Sequence, residues 1–143
     1  MPGDLVLKAM NALHRVVLRV TGGRAGWTAL DMPVLELTTT GRRTGRPRSV
    51  MLTSPLQQDR AWVVVASRGG DDQPPAWLLN VQDHPEVGVS VQGQAQQRMR
   101  ARVVTPEERA RLWPLVVADH GIYAGYQART SREISLVLLE PLD

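Results

Sequence analysis

The feature that most constrains this chain is a glycine-bearing loop between two strand-like segments, read as LELTTTGRRTGRPRSV over residues 35–50. Strand-forming residues stand on both sides, and the glycines and proline between them predict a tight turn. The loop therefore connects a β-hairpin. It is not a P-loop, which leads from a strand into a helix and carries a Gly-Lys-Ser/Thr sequence that is missing here.

The same loop carries four arginines within seven positions, namely Arg42, Arg43, Arg46 and Arg48. Crowding four guanidinium groups on one turn costs electrostatic repulsion unless an anion is held there. The planar guanidinium suits phosphate and carboxylate, and glycines let backbone N–H groups converge on the same anion. The loop thus predicts an anionic ligand, and the alternative is a solvated hairpin tip.

The charge distribution points the same way. Residues 8–48 carry eight basic and two acidic side chains, a net charge of +6, whereas the whole chain carries +3. Such a field attracts nucleic acid, an anionic membrane surface or a phosphate-bearing cofactor. The chain has no cysteine and only three scattered histidines, so neither a disulfide framework nor a metal site is expected.

Periodicity along the chain predicts one α+β domain over residues 1–143, built on an antiparallel barrel or sheet. Six strands are expected, at residues 34–39, 49–56, 61–67, 87–91, 99–103 and 134–139. Helices are expected at residues 4–20, 76–83, 106–119 and 121–128. The third of these begins with the capping box Thr105-Pro106-Glu107-Glu108. Residues 1–26 would form an amphipathic helix and a glycine-rich turn, and residues 33–143 the barrel with its covering helices.

Loops at the strand ends and the covering helices of a small barrel converge on a groove, which defines further candidate residues. Ser67 and Arg68 end the strand at 61–67. Trp77 and Asn80 are three residues apart on one predicted helix, and Tyr123 and Tyr126 are three apart on another, so each pair shares a face. Core packing is the alternative for Trp77, and capping of its own helix is the alternative for Asn80.

Taken together, these motifs resemble the deazaflavin-dependent nitroreductase and quinone reductase family. The resemblance is carried by LTTTGRRTGRPR (residues 37–48), VVVASRGG (63–70), PAWLLN (75–80) and YAGYQ (123–127), and it extends from NALHRVVLRVTGGRAG (11–26) to the last strand. It implies a six-stranded split β-barrel like that of proteins that bind flavin mononucleotide (FMN), with flanking helices. The implied cofactor is reduced coenzyme F-420, a deazaflavin with a phospholactyl–polyglutamate tail. The implied reaction is hydride transfer to a quinone, a nitroaromatic compound or an activated alkene.

The resemblance also implies residue roles. Arg42, Arg43 and Arg48 would contact the tail and phosphate, Ser67 and Arg68 the deazaflavin and its linker, and Trp77 and Asn80 would lie beside them. Tyr123, Tyr126 and Ser67 would be the catalytic residues at the acceptor. Arg68 stands where a lysine is common and His120 where an aromatic residue is often found, so activity on nitroimidazole prodrugs is not expected.

Three other functions fit parts of the pattern: an FMN-dependent oxidoreductase on the same fold, a non-catalytic deazaflavin carrier, and a small barrel that binds single-stranded nucleic acid. The last needs several exposed aromatic residues for base stacking, and aromatics are only 4% of this chain, so no nucleic-acid partner is expected.

No apolar run is long enough to span a membrane, and no secretory signal is visible, so a cytoplasmic location is expected. The chain is expected to act as a monomer or homodimer. Its N-terminal helix should pack on the domain, and peripheral contact with the inner face of the membrane is the alternative.

Overall fold

The computed structural model describes residues 28–29 and 31–142, so the predicted helix at residues 4–20 lies outside the described residues. The described strands are β1 (Thr28–Ala29), β2 (Met32–Thr40), β3 (Pro47–Thr53), β4 (Leu56–Gln58), β5 (Ala61–Val65), β6 (Glu86–Val91), β7 (Gln97–Val103) and β8 (Leu136–Pro141). All seven recorded pairings between strands are antiparallel.

The strands form one sheet in the order β3-β2-β6-β7-β8-β5-β4, and the short β1 pairs with the start of β2. Its two edge strands, β3 and β4, are neighbours in the chain and are separated only by Ser54 and Pro55. Because so short a connection keeps the two edges close together, the sheet has to curl. The result is the predicted α+β fold, an antiparallel sheet curled into a split barrel.

The predicted count of six strands was wrong. Seven strands have three or more residues, and the two-residue β1 is an eighth. The segment 49–56 is two strands because Pro55 lacks the N–H that would continue the ladder. Ser54 fixes the bend, with its hydroxyl donating to the Val63 carbonyl at 2.7 Å and its N–H to the Pro33 carbonyl at 3.0 Å.

Three described helices agree with the predicted ones: α1 (Ala76–Asp83), α2 (Pro106–Asp119) and α3 (Ile122–Ala128). The capping box of α2 is formed. The Thr105 hydroxyl accepts from the Glu108 N–H at 3.2 Å, and the Glu108 carboxylate accepts from the Thr105 N–H at 2.8 Å. Among the helices that the structure describes, none has the length and apolar character needed to cross a membrane.

Side-chain alternation along β5 and β8 builds a core on each face of the sheet. Val64 and Val137 point into the core that α1 covers, which we call the α1 core. Val63 and Leu136 point into the opposite one, covered by α2 and α3, which we call the α2/α3 core. The predicted site helices therefore lie on two sides of the same pair of strands.

Candidate functional site

The arginine loop is the tip of the β2–β3 hairpin, as predicted. The strands pair from Val34 opposite Thr53 to Thr40 opposite Pro47. Across the tip, the Gly41 N–H donates to the Arg46 carbonyl and the Gly45 N–H to the Gly41 carbonyl, both at 2.8 Å. Gly45 has a φ of 70°, a conformation that favours glycine.

All four arginine side chains of this loop are exposed to solvent: Arg42, Arg43, Arg46 and Arg48. The backbone of the tip is closed by two hydrogen bonds of its own. The loop therefore presents a dense positive charge on a fixed backbone, an arrangement that suits an anionic group of several charges.

Asn80 of α1 ties this loop to the body of the protein. Its side chain is only 7% exposed. The amide oxygen accepts from the Arg42 N–H at 3.0 Å, and the amide nitrogen donates to the Thr39 hydroxyl at 3.1 Å. Asn80 does not cap its own helix through this side chain, which instead bridges to the hairpin. It thus fixes the loop that carries the arginines.

Trp77 of α1 is 8% exposed and packs in the α1 core with residues such as Leu35 and Val64. This placement matches the alternative of core packing. Contact between Trp77 and a cofactor stays a prediction.

Ser67 and Arg68 lie in a turn directly after β5, which we call the β5 turn (residues 66–71). Arg68, Gly69 and Gly70 have φ values of 45°, 65° and 85°, so three successive residues are in the left-handed region. The Arg68 guanidinium lies 3.7 Å from the Asp71 carboxylate. The turn is half-buried at Ser67 and Arg68, so both stand at the protein surface near the end of a central strand.

Tyr123 and Tyr126 share one face of α3, as their spacing predicted. Their ring centroids are 6.0 Å apart at an interplanar angle of 80°, an edge-to-face contact. Tyr123 is 6% exposed, and its hydroxyl lies 2.9 Å from the Thr53 hydroxyl and 3.5 Å from the Met32 sulfur. Burial raises the pKa of the Tyr123 hydroxyl, so the phenol is protonated at neutral pH. Tyr126 is half-buried.

The candidates fall into two groups. Asn80 joins α1 to the arginine loop, and the β5 turn meets α3 where Gly70 packs against Tyr126. β3 connects the groups, since it begins beside the loop and ends at Thr53, the hydrogen-bond partner of Tyr123. Strand rise places the two ends of β3 about 20 Å apart.

Sequence reasoning missed two residues of this region, Thr53 and Arg132. Thr53 bonds a residue 70 positions away, and Arg132 donates to carbonyls of the β5 turn more than 60 positions away. Neither belongs to a motif, and the charge of Arg132 alone did not distinguish it from the other arginines.

The fold and site define a class: a split-barrel protein with four exposed arginines on one hairpin loop and a pair of contacting hydroxyl groups at the far end of the same strand. The described residues fit coenzyme F-420 because the exposed guanidinium groups match a tail of phosphate and carboxylates.

Comparison with known proteins identifies the family. The family model described as F-420H(2)-dependent quinone reductase matches residues 11–141. A relative from Mycobacterium tuberculosis, described as an F-420H(2)-dependent quinone reductase, is 39% identical over 131 residues, covering 89% of this chain and 87% of the relative.

Solved structures agree. One described as an F-420-dependent reductase (FDR-A) has a TM-score of 0.64 and 34% identity, covering 76% of this chain and 94% of its own. Another, described as a domain-swapped dimer, has a TM-score of 0.69 and 32% identity, covering 92% and 99% of the two chains.

This chain belongs to the F-420H(2)-dependent quinone reductase family. It is an oxidoreductase that uses coenzyme F-420 for quinone reduction, as the resemblance implied.

Proposed function

We propose that the arginine loop holds the anionic tail of coenzyme F-420 and that the acceptor is reduced near the β5 turn and α3. Quinones are the primary acceptors, and nitroaromatic compounds and activated alkenes are further candidates. The observation that carries this proposal is the set of four exposed guanidinium groups on a hairpin tip whose backbone Asn80 fixes.

Arg42, Arg43 and Arg48 are the residues that would bind the phosphate and carboxylates of the tail. The β2–β3 register and the Asn80 amide set their backbone positions, so the loop that carries the charges is already formed before binding. Such preorganisation lowers the entropy lost on association. Arg46 adds a fourth charge at the same tip.

Ser67 and Arg68 would orient the ring end. Both stand in the β5 turn, whose backbone is closed by a 2.9 Å hydrogen bond from the Gly70 N–H to the Ser67 carbonyl. When bound, the reduced deazaflavin supplies a hydride, so the chain needs no redox group of its own.

Tyr123 is the proposed hydrogen-bond donor to the acceptor oxygen, with Tyr126 and Ser67 beside the same position. Reduction of a quinone by hydride places negative charge on that oxygen, which a fixed donor stabilises. The Tyr123 phenol is protonated at neutral pH because burial raises its pKa. Its contact with Thr53 gives it a second hydroxyl through which a proton can be replaced.

The test is a titration followed by turnover. The purified protein is titrated with F-420 and, separately, with FMN, while fluorescence is recorded, and reduced F-420 is then incubated with menadione. We expect a saturating signal with F-420 but not with FMN, and steady oxidation of reduced F-420 only when menadione is present. Binding of FMN instead would favour the flavin enzyme, and F-420 binding without turnover would indicate a carrier.

A further inference from the structure

The β5 turn has a backbone that is costly to form. Arg68, Gly69 and Gly70 all have positive φ values, and Arg68 is not a glycine. A residue with a side chain is strained in this region, and such backbone persists only when surrounding contacts hold it. The contacts that hold this turn are therefore informative about its role.

The Arg132 side chain makes three hydrogen bonds to the backbone of the turn. The Arg132 guanidinium donates to three of its carbonyls: Asp71 at 2.8 Å, Ser67 at 2.9 Å and Ala66 at 3.3 Å. These carbonyls stand on both sides of the three left-handed residues. Arg132 thus joins the two ends of the strained segment, as the planar, multi-donor guanidinium is suited to do.

Arg132 is in turn anchored to α3. The Gln127 amide nitrogen donates to the Arg132 carbonyl at 2.7 Å, and the amide oxygen of Gln127 accepts from the Ile134 N–H at 2.9 Å. One residue of the helix therefore fixes the short loop on which Arg132 sits.

The turn also touches α3 directly. A Cβ atom added to Gly70 would lie 2.6 Å from the Tyr126 carbonyl oxygen, closer than real Cβ contacts permit. The Arg129 guanidinium donates to the Gly69 carbonyl at 3.4 Å. The β5 turn thus packs directly against α3. The first carries Ser67 and Arg68, and the second carries the two tyrosines.

We propose that Arg132 is a positioning residue that holds the β5 turn at a fixed separation from α3, so that the cofactor side and the acceptor side of the site stay aligned. This inference rests on the proposed function of Ser67 and Arg68. Arg132 itself contacts backbone carbonyls of the turn and acts through them.

Hydrogen exchange tests the inference without any cofactor. In Arg132→Lys the charge remains, but one ammonium cannot reach three separate carbonyls. We expect the Gly70 and Asp71 amides, which donate within the turn, to exchange about tenfold faster, equivalent to about 1.4 kcal/mol. Arg102→Lys is the matched control, because the Arg102 guanidinium also makes several hydrogen bonds, but to carboxylates and not to the β5 turn. That control should leave both amides unchanged.

Cofactor affinity is the second readout. We expect Arg132→Lys to weaken F-420 binding about tenfold, again about 1.4 kcal/mol. In an Arg68→Ala background the same change should cost clearly less, because two residues that act through one turn are not additive. A purely structural residue would give the same loss in both backgrounds.

The outcomes are separable. If the wild-type protein does not bind F-420, the proposed function fails, while the exchange rates still decide whether Arg132 holds the turn. If the wild type binds F-420 but Arg132→Lys leaves affinity and turn exchange unchanged, the inference is overturned. A lower unfolding midpoint without selective exchange at Gly70 and Asp71 overturns it as well. If Arg132→Lys does not fold, Arg132→Gln is compared in the same way.

Discussion

In the proposed function, the Tyr123 phenol would serve packing and chemistry together. Its ring belongs to the α2/α3 core, while its hydroxyl meets Thr53 at the end of β3. A phenol held by packing has lost its rotational freedom before the acceptor arrives. Such a donor costs no reorganisation during the reaction, which is the condition under which hydrogen bonds stabilise a transition state best.

Removing this hydroxyl should therefore affect turnover much more than cofactor binding. We expect Tyr123→Phe to lower kcat for menadione about a hundredfold, since loss of one such donor costs about 3 kcal/mol. The Kd for F-420 should change less than about twofold, because the proposed tail contacts lie at the other end of β3. Steady-state kinetics and a fluorescence titration measure the two quantities.

The comparison variant is Tyr126→Phe, which keeps the edge-to-face ring contact and removes the hydroxyl of the half-buried partner. We expect a smaller loss of kcat than in Tyr123→Phe. Equal losses of turnover and cofactor affinity in Tyr123→Phe would show that the tyrosine only shapes the pocket.

At the scale of elements, the β2–β3 hairpin depends on α1 for its geometry. The Asn80 side chain, buried on the helix, reaches both Arg42 and Thr39. The hairpin tip closes its own backbone, but the link to α1 determines how the tip sits on the barrel. The Asn80 amide thus fixes the hairpin relative to α1.

Truncating this amide should loosen the loop. We expect Asn80→Ala to lower the free energy of unfolding by about 1–3 kcal/mol, because the Arg42 N–H loses its side-chain acceptor and the Thr39 hydroxyl loses its donor. F-420 affinity should fall with it. Urea denaturation and an F-420 titration measure the two effects.

The control is Gln96→Ala. It removes a 3.3 Å bond to the Thr38 hydroxyl on the same hairpin, but not one at the tip. This variant should keep its cofactor affinity. An Asn80→Ala protein with unchanged F-420 affinity would show that the tether does not serve binding.

The start of α2 is joined to β7 and β8 by a group of three charged residues. Arg102 bonds Glu108 at 2.7 Å and Glu140 at 3.1 Å, and Glu108 also closes the capping box. The hydrogen bond from Arg102, followed by that from the Thr105 backbone, lowers the pKa of Glu108 to about 2 from 4.5. A lowered pKa means that the carboxylate stabilises the fold above pH 4.5 and loses that effect as the pH falls toward 2.

Neutralising Glu108 should therefore cost stability only where the native carboxylate is ionised. We expect Glu108→Gln to lower the free energy of unfolding by about 1 kcal/mol at pH 7. The loss is small because solvent screens the ion pair and glutamine still fits a capping box. The difference should shrink between pH 4.5 and 2. Urea denaturation across this range measures it, and a difference independent of pH would contradict the assigned role.

At the scale of the whole molecule, the elements whose formation depends on residues close together in the sequence could be predicted. The capping box of α2 and the β2–β3 hairpin follow from short sequence patterns, and both are formed. The division of residues 49–56 into two strands was not anticipated, although Pro55 marked it. Its position depends on Ser54 bonding Val63 and Pro33 across the barrel.

The contacts that assemble the site could not be predicted from the sequence. Asn80 and Arg42 are 38 residues apart, and Tyr123 and Thr53 are 70 apart. Nothing in the local pattern around either pair indicates that its members meet, because only closure of the sheet brings them together. Resemblance to a family supplied the cofactor and the reaction, whereas composition and charge supplied only an anionic ligand.

In the proposed function, the positive charge of the arginine loop is what attracts the cofactor. Opposite charges that face solvent attract less strongly as salt is added, so a tail bound by exposed arginines has to bind more weakly at high ionic strength. A cofactor held only through its ring would show little dependence. Affinity measured against salt therefore distinguishes the two.

The most direct measurement is the Kd for F-420 across a salt series in the wild-type protein, Arg43→Ala and Arg111→Ala. Arg111 is an exposed arginine of α2, so it controls for the loss of one positive charge away from the loop. We expect wild-type affinity to fall with salt, Arg43→Ala to bind about tenfold more weakly at low salt with a shallower dependence, and Arg111→Ala to match the wild type. An affinity independent of salt, or equal in wild type and Arg43→Ala, would contradict tail binding by the arginine loop.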